Sequence, residues 1–255
     1  MTPWPVHTWG LDLIGLINPT SKGHIWITVV TKYFIKWVEA IPLKKATGPT
    51  VADFIRKHII CRFGIPHKIV IGNGTPFVNK DVRKLLDHRH IKHRKSTPYY
   101  PQGNGQVKVT NRVLLRILSK MVHEYEGGWI EHLLKTLWAY QSSSKITTRL
   151  LPFSFIYGIK AISLVELLVP TPRVVHWQEI DINATTCAKI RTMDLETLKE
   201  TQNLAFNSTQ RYLQQMTNAY NKAMKSKIFI KWQIVLKAAD HVRRNLSKPS
   251  KFTPS

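Results

Sequence analysis

The sequence predicts an α/β fold, a mixed sheet flanked by helices and followed by a helical C-terminal extension. Three observations predict it. Apolar and β-branched runs come first, with short connections. A helical period then alternates with short strand-like runs. A long segment with three- and four-residue apolar spacing follows a Pro-Thr-Pro break. Strands first and helix–strand alternation afterwards give a mixed sheet covered by helices.

The elements follow in order. Trp9 to Gly15 reads as a strand with one acid, Asp12, in an apolar run. Ile25 to Thr31 is β-branched and reads as a second strand. Lys36 to Ile41 is the third, stopped by Pro42. Val51, Phe54, Ile55, His58, Ile59 and Phe63 share a helical face that ends at Gly64-Ile65-Pro66. Lys68 to Ile71 is a short buried strand, and the Gly72-to-Pro76 run is a turn. A helix over about Lys80 to His88 and a strand near Ile91 to Lys95 complete the alternation. Ser96 to Gly105 is rich in Pro and Gly and reads as a loop. Helices are expected over Gln106 to Tyr125, with Val107, Leu114, Leu118 and Met121 inward, and over Trp129 to Tyr140. Beyond Pro170-Thr171-Pro172, the positions Leu195, Leu198, Gln202, Ala205, Thr209, Tyr212, Met216, Ala219 and Ala223 form a weak heptad-like seam, the mark of a docking helix. Phe229 to Leu236 reads as a strand.

Composition narrows the function. The chain has 255 residues, 43% hydrophobic and 10% aromatic, which excludes a disordered tail. It carries 38 Lys+Arg against 15 Asp+Glu, a formal charge of +23. That exceeds the roughly 2–8 charges that keep a small domain soluble. It points to a polyanion, nucleic acid first and an anionic membrane surface second. No long uncharged apolar run or signal peptide is visible, so a nuclear or cytoplasmic protein is expected, neither secreted nor membrane-spanning. Two cysteines, Cys61 and Cys187, make neither a disulfide framework nor a zinc site by themselves.

The basic residues concentrate between Lys80 and Lys120. Lys92, Arg94, Lys95, Tyr99, Asn104, Gln106, Lys108, Arg112 and Arg116 are the candidate nucleic-acid contacts. Arg112 and Arg116 follow Lys108 at steps of four, one stripe of a helix. Such a field suits phosphate contacts and carries no base-reading code. A solvated helix face is the competing reading.

Several motifs in order carry a family resemblance: Pro5 to Gly15, Tyr33 to Pro42, the Gly72-to-Phe77 turn, Ser96 to Asn111, Trp138-Ala139-Tyr140, Pro152-Phe153 and Tyr157-Gly158. Together they resemble the integrase of gypsy-class LTR retrotransposons of plant type. The resemblance implies a ribonuclease H-like five-stranded sheet, DNA integration as the family role, DNA as partner and a homo-oligomer. It also implies a polyprotein fragment organised as a catalytic core over residues 1–160, a linker over 161–185 and a helical extension over 186–226, with the cut-short start of a C-terminal β-barrel over 227–255. The family's amino-terminal His/Cys zinc domain has no counterpart here.

The family holds two divalent ions, Mg²⁺ or Mn²⁺, with three acids. The first falls on Asp12, which is retained as a remnant metal ligand. The second falls on Gly72, just before the Asn-Gly turn, and the third on Lys108. Both are replaced while the family's spacing between them is kept. Gly72 offers no oxygen, and Lys108 puts a cation where a metal-binding anion stood. Charges about 4 Å apart interact by roughly 4 kcal/mol at an effective dielectric of 20, here repulsively toward a metal. Stable metal binding and strand transfer are therefore expected to be lost, which makes the chain a pseudoenzyme. Asp53, Asp81 and Glu39 are the possible rescue ligands, with surface acids the simpler reading. Lys108 either faces solvent, pairs with Asp12 or meets a DNA phosphate. Lys32 and Trp232 are further departures from the family pattern. Three functions stay open: a DNA-binding module, a residually active metal-dependent polynucleotidyl transferase or nuclease, and an inert relic.

Overall fold

A computed structural model describes residues 7–72, 74–96, 101–162 and 184–224, with a few isolated positions between and beyond. Tyr99, Asn73, Pro170, Pro172, Trp232 and the expected strand over 229–236 lie outside the described residues.

The five-stranded mixed sheet is present. Its strands are β1 (Thr8–Gly15), β2 (Trp26–Lys32), β3 (Val38–Leu43), β4 (Lys68–Ile71) and β5 (Lys92–Lys95), in the order β3-β2-β1-β4-β5. β1 pairs antiparallel with β2 and parallel with β4; β2–β3 is antiparallel and β4–β5 parallel. The third strand starts later than expected and runs through Pro42 to Leu43. β3 is an edge strand, where a residue lacking an N–H is tolerated because alternate N–H groups face away from the sheet.

Two apolar layers cover the sheet. Trp9, Leu11, Val30, Ile69 and Ile71 face α1 (Gly48–Phe54), a π-helical stretch (Ile55–Ile60), α2 (Cys61–Phe63) and α3 (Lys80–His88). Thr47 caps α1 by accepting from the Thr50 N–H, and Gly64 breaks out of α2 at φ 83°. Ile14, Ile27, Val29, Val38 and Ala40 face α4 (Gly105–Glu124) and α5 (Trp129–Gln141). Each fully buried Leu, Ile or Phe side chain stabilises by about 1.5–3 kcal/mol. A short helix, α6 (Pro152–Tyr157), was not read from the sequence, although Pro152 in its first turn and left-handed Gly158 after it are start and stop signals.

The extension is one long helix, α7 (Ala184–Ala223). Ala205 is buried in the α1–α3 layer, and Thr209 donates its hydroxyl to the Thr147 carbonyl at 3.3 Å. The expected seam is seated over Leu198, Gln202, Ala205, Thr209 and Tyr212. Leu195 and Met216 at its ends are exposed.

One acid departs from the expectation, and one lysine is buried. Glu39 is not a surface acid: it is 7% exposed, accepts from the Trp37 indole at 2.7 Å and pairs with Arg62 at 2.7 Å. Asp53 is a half-exposed surface acid and pairs with Arg56 and Lys57. Lys32 is only 4% exposed, its ammonium 5.3 Å from the Trp9 ring and 5.2 Å from the Phe63 ring. Burial pushes Lys32 down to about 8.

Candidate functional site

Asp12 sits mid-way along the central strand β1, on the face covered by α4. Two local features seat that helix. A Cβ on Gly10 would lie 2.2 Å from Val107 Cγ2 and 2.3 Å from Tyr33 Cε1, so only glycine admits α4 and Tyr33 this close. Asn104, just ahead of α4, donates its amide to the Leu11 carbonyl at 3.2 Å and accepts from the Tyr33 hydroxyl at 2.8 Å. These bonds tie the start of α4 to β1 and to the end of β2.

Asn111, two turns into α4, donates its amide to Asp12 Oδ2 at 2.9 Å. The Asn111 carbonyl oxygen is buried and has no hydrogen-bond partner among the described residues. Burial pushes the Tyr33 phenol up, and the Asp12 carboxylate adds to the effect. Gly72 follows β4, whose parallel pairing with β1 brings it beside Asp12. A Cβ built on Gly72 would lie 3.9 Å from Asp12 Oδ1. The first two positions singled out from the sequence therefore share one spot. Lys108 lies one turn before Asn111 on α4; it is exposed and makes no ion pair among the described residues.

The basic residues divide into two strips. Lys108, Arg112, Arg116 and Lys120 run exposed along α4, with Val109 and Val113 between them, 59% and 37% exposed. Lys92, Arg94 and Lys95 stand exposed on β5. β5 lies two strands from β1, against which α4 packs, a lateral step of about 10 Å at the usual strand spacing. One expected contact is corrected. Asn104 is 1% exposed with its amide committed inside the fold, so it is a structural tether, unavailable to a surface partner. Gln106 donates to the Tyr33 carbonyl at 2.7 Å and is half-buried. The sequence signal for Asn104 was a polar Pro/Gly-rich loop, which does not reveal that a side chain folds inward.

Residues 3–101 match the family described as Integrase core domain. The chain is 31% identical over 156 residues to the Gag-Pol polyprotein of Avian reticuloendotheliosis virus, covering 61% of this chain and 13% of that one. It is 32% identical over 152 residues to the Gag-Pol polyprotein of Gibbon ape leukemia virus, covering 59% and 9%. It is 25% identical over 167 residues to the Transposon Tf2-3 polyprotein of Schizosaccharomyces pombe (strain 972 / ATCC 24843), covering 65% and 12%. The chain thus spans 9% to 13% of the length of these polyproteins. Among solved structures, it is similar to a chain of the simian T-cell lymphotropic virus intasome in complex with PP2A regulatory subunit B56 gamma. That likeness has a TM-score of 0.54 at 20% identity and covers 62% of this chain and 57% of that chain. It shows the fold, the ribonuclease H-like arrangement of the integrase core.

Integrase cores generally depend on a divalent metal. The donor set at Asp12 does not fit a two-metal centre. One carboxylate is present, and one of its oxygens already accepts from Asn111. Position 72 has no side chain, and position 108 carries a cation. No group of three His, Cys, Asp or Glu side chains able to hold a metal ion occurs among the described residues. No described helix is long and apolar enough to cross a membrane.

Proposed function

We propose that the chain is the integrase-core segment of a gypsy-class, plant-type LTR retrotransposon polyprotein. In this reading it binds DNA through the exposed face of α4 and the β5 edge, and strand transfer of element ends into target DNA is lost. Self-association and a nuclear or cytoplasmic location belong to the same reading. The observation that carries it is the pairing of Asp12 with Gly72, a glycine whose Cβ would face Asp12 Oδ1 at 3.9 Å. On this reading the second family acid falls on Gly72, which offers no carboxylate. Lys108 supplies charge of the wrong sign for a metal and the right sign for phosphate.

The α4 stripe supports DNA binding on energetic grounds. Like charges at four-residue spacing each cost a helix about 0.2–0.5 kcal/mol. α4 contains Lys108, Arg112, Arg116 and Lys120 and a single acid, Glu124. A phosphate backbone relieves that repulsion and releases counterions.

The test is strand transfer with Mn²⁺ on oligonucleotides matching the element's ends. The parent runs beside the double reversion Gly72→Asp, Lys108→Glu. Activity in the reversion alone supports the reading. Activity of the parent that vanishes in Asp12→Ala overturns it in favour of a residual metal-dependent transferase or nuclease. Activity in neither leaves DNA binding as the function, and loss of that binding at low salt marks an inert relic.

A further inference from the structure

A second cationic site lies on the face of the sheet that carries Asp12, at the other end of β1. A cavity of about 360 Å³ opens there between the start of β1, the β2–β3 turn, β4, the start of α4 and α7. Its polar wall includes Lys36, Lys68, Thr147 and Thr209, and Phe34 and Phe206 supply apolar surface. Among the described residues no carboxylate lines it. The volume falls in the range of about 300–1,000 Å³ usual for small-ligand sites.

Lys36 is the telling residue. It holds a left-handed backbone conformation, φ 61°, which a non-glycine residue adopts at a cost. Its ammonium makes one hydrogen bond among the described residues, to the Tyr33 carbonyl at 2.8 Å. That carbonyl also accepts from Gln106. Burial alone pushes Lys36 down to about 8. Lys68 is half-buried and likewise lacks an ion pair. Two cations drawn into one cavity without a counterion are costly unless an anion joins them.

We infer that this cavity binds a phosphate group carrying a nucleoside, with the phosphate on Lys36 and Lys68 and the nucleoside against Phe34 and Phe206. A free mononucleotide and the terminal phosphate of a nucleic-acid strand share this chemistry. The inference goes beyond DNA binding by α4 and does not rest on it. The charged and titratable groups around the site are few. Tyr33 and Lys68 line it with Lys36. His7 lies behind Thr8, hydrogen-bonded to it at 2.7 Å and tilted against His67 with ring centroids 4.6 Å apart. Burial, His67, Lys68 and Lys92 hold His7 below its ordinary value. The α4 and α7 residues on the wall are uncharged.

The experiment is calorimetric titration of the full chain with inorganic phosphate, dAMP and deoxyadenosine, each at neutral pH and again near pH 9.5. The expected result is dAMP binding that deoxyadenosine does not match, weakened at least tenfold in Lys36→Met and reduced at the higher pH. Lys68→Met is the second variant, should Lys36→Met fail to give a cooperative melt. A parent that binds neither phosphate nor dAMP overturns the inference, as does dAMP affinity unchanged in a folded Lys36→Met or Lys68→Met. A 5′-phosphorylated oligonucleotide that binds more tightly than its 5′-hydroxyl twin assigns the site to a strand end. Equal binding of the two, with dAMP retained, assigns it to a free nucleotide. Arg112→Glu, Arg116→Glu separates the two proposals, since it weakens duplex binding and leaves dAMP binding intact.

Discussion

Gly72→Asp introduces a carboxylate beside Asp12, and its cost can be worked from the geometry. The new Cβ would meet Asp12 Oδ1 at 3.9 Å and Phe77 Cδ2 at 4.0 Å, both ordinary contacts. Gly72 is not among the glycines with positive φ, so an L side chain fits the backbone. The variant should therefore fold. Two carboxylates about 4 Å apart repel by roughly 4 kcal/mol at an effective dielectric of 20. Asp12 is half-exposed, and solvent screening reduces the penalty to about 2 kcal/mol. For a chain of this size that is a fall in Tm of roughly 4–8 °C. The repulsion raises the folded-state pKa of the carboxylate pair. The penalty is therefore absent at low pH and grows as pH rises through that raised value. A divalent cation between the two carboxylates cancels it. Differential scanning calorimetry at pH 7.5 is the assay, on parent and variant, in EDTA and in excess Mg²⁺. The expected pattern is a lower Tm for the variant in EDTA, recovered by Mg²⁺, with little Mg²⁺ response in the parent. Equal melting of the two proteins in EDTA, or an equal Mg²⁺ shift in both, would refute the claim that residues 12 and 72 share a site.

Arg112→Glu, Arg116→Glu should weaken duplex binding and lower the slope of log affinity against log salt by about 1.8, at roughly 0.9 per phosphate lost; fluorescence anisotropy across a salt series measures it. Lys32→Met should raise stability at pH 7. Holding Lys32 at about 8 instead of 10.5 penalises its cation by roughly 3 kcal/mol, less what the aromatic rings return. Because the folded-state value is depressed, the parent gains stability between about pH 8 and 10.5. The advantage of Lys32→Met should fade over that window, and parallel melts at pH 7 and 10 would show whether it does. Glu39→Ala leaves the buried Trp37 indole and Arg62 without their acceptor. It should cost about 1–3 kcal/mol by urea denaturation, more than Glu39→Gln, which keeps an oxygen for the indole.

Some of this was legible and some was not, for physical reasons. β1, β2 and β4 were readable because their apolar and β-branched residues are buried on both faces. α7 was readable from its seam, which is seated where the spacing is small or polar and exposed at Leu195 and Met216. Asp12 and Gly72 were singled out through the family resemblance. Parallel pairing of β1 with β4 then puts them side by side. The π-helical stretch at Ile55–Ile60 left no trace, because a wider turn keeps the same residues inward. Nothing in local polarity separates Asn104, buried as a tether, from its exposed neighbour Gly103. Lys32 defeats pattern reading altogether. It is a cation in an otherwise apolar strand, and only the contact with Trp9 and Phe63, brought in by β1 and α2, shows where it goes.

The two margins of the sheet are blunted by different chemistry. β3 carries Pro42, which removes a ladder donor, and β5 reads Lys-His-Arg-Lys along its whole length. Strand-to-strand growth between copies is hindered by a missing donor at one border and by like charge at the other. Chains that assemble must then meet through helices and loops, and the sheet stays a closed scaffold inside each copy. The block at β5 is conditional, since it depends on charge. A polyanion that neutralises the strip would lift the repulsion, so if β5 binds DNA as proposed, its lysines and arginine would also set how close two bound copies can be brought before they stick.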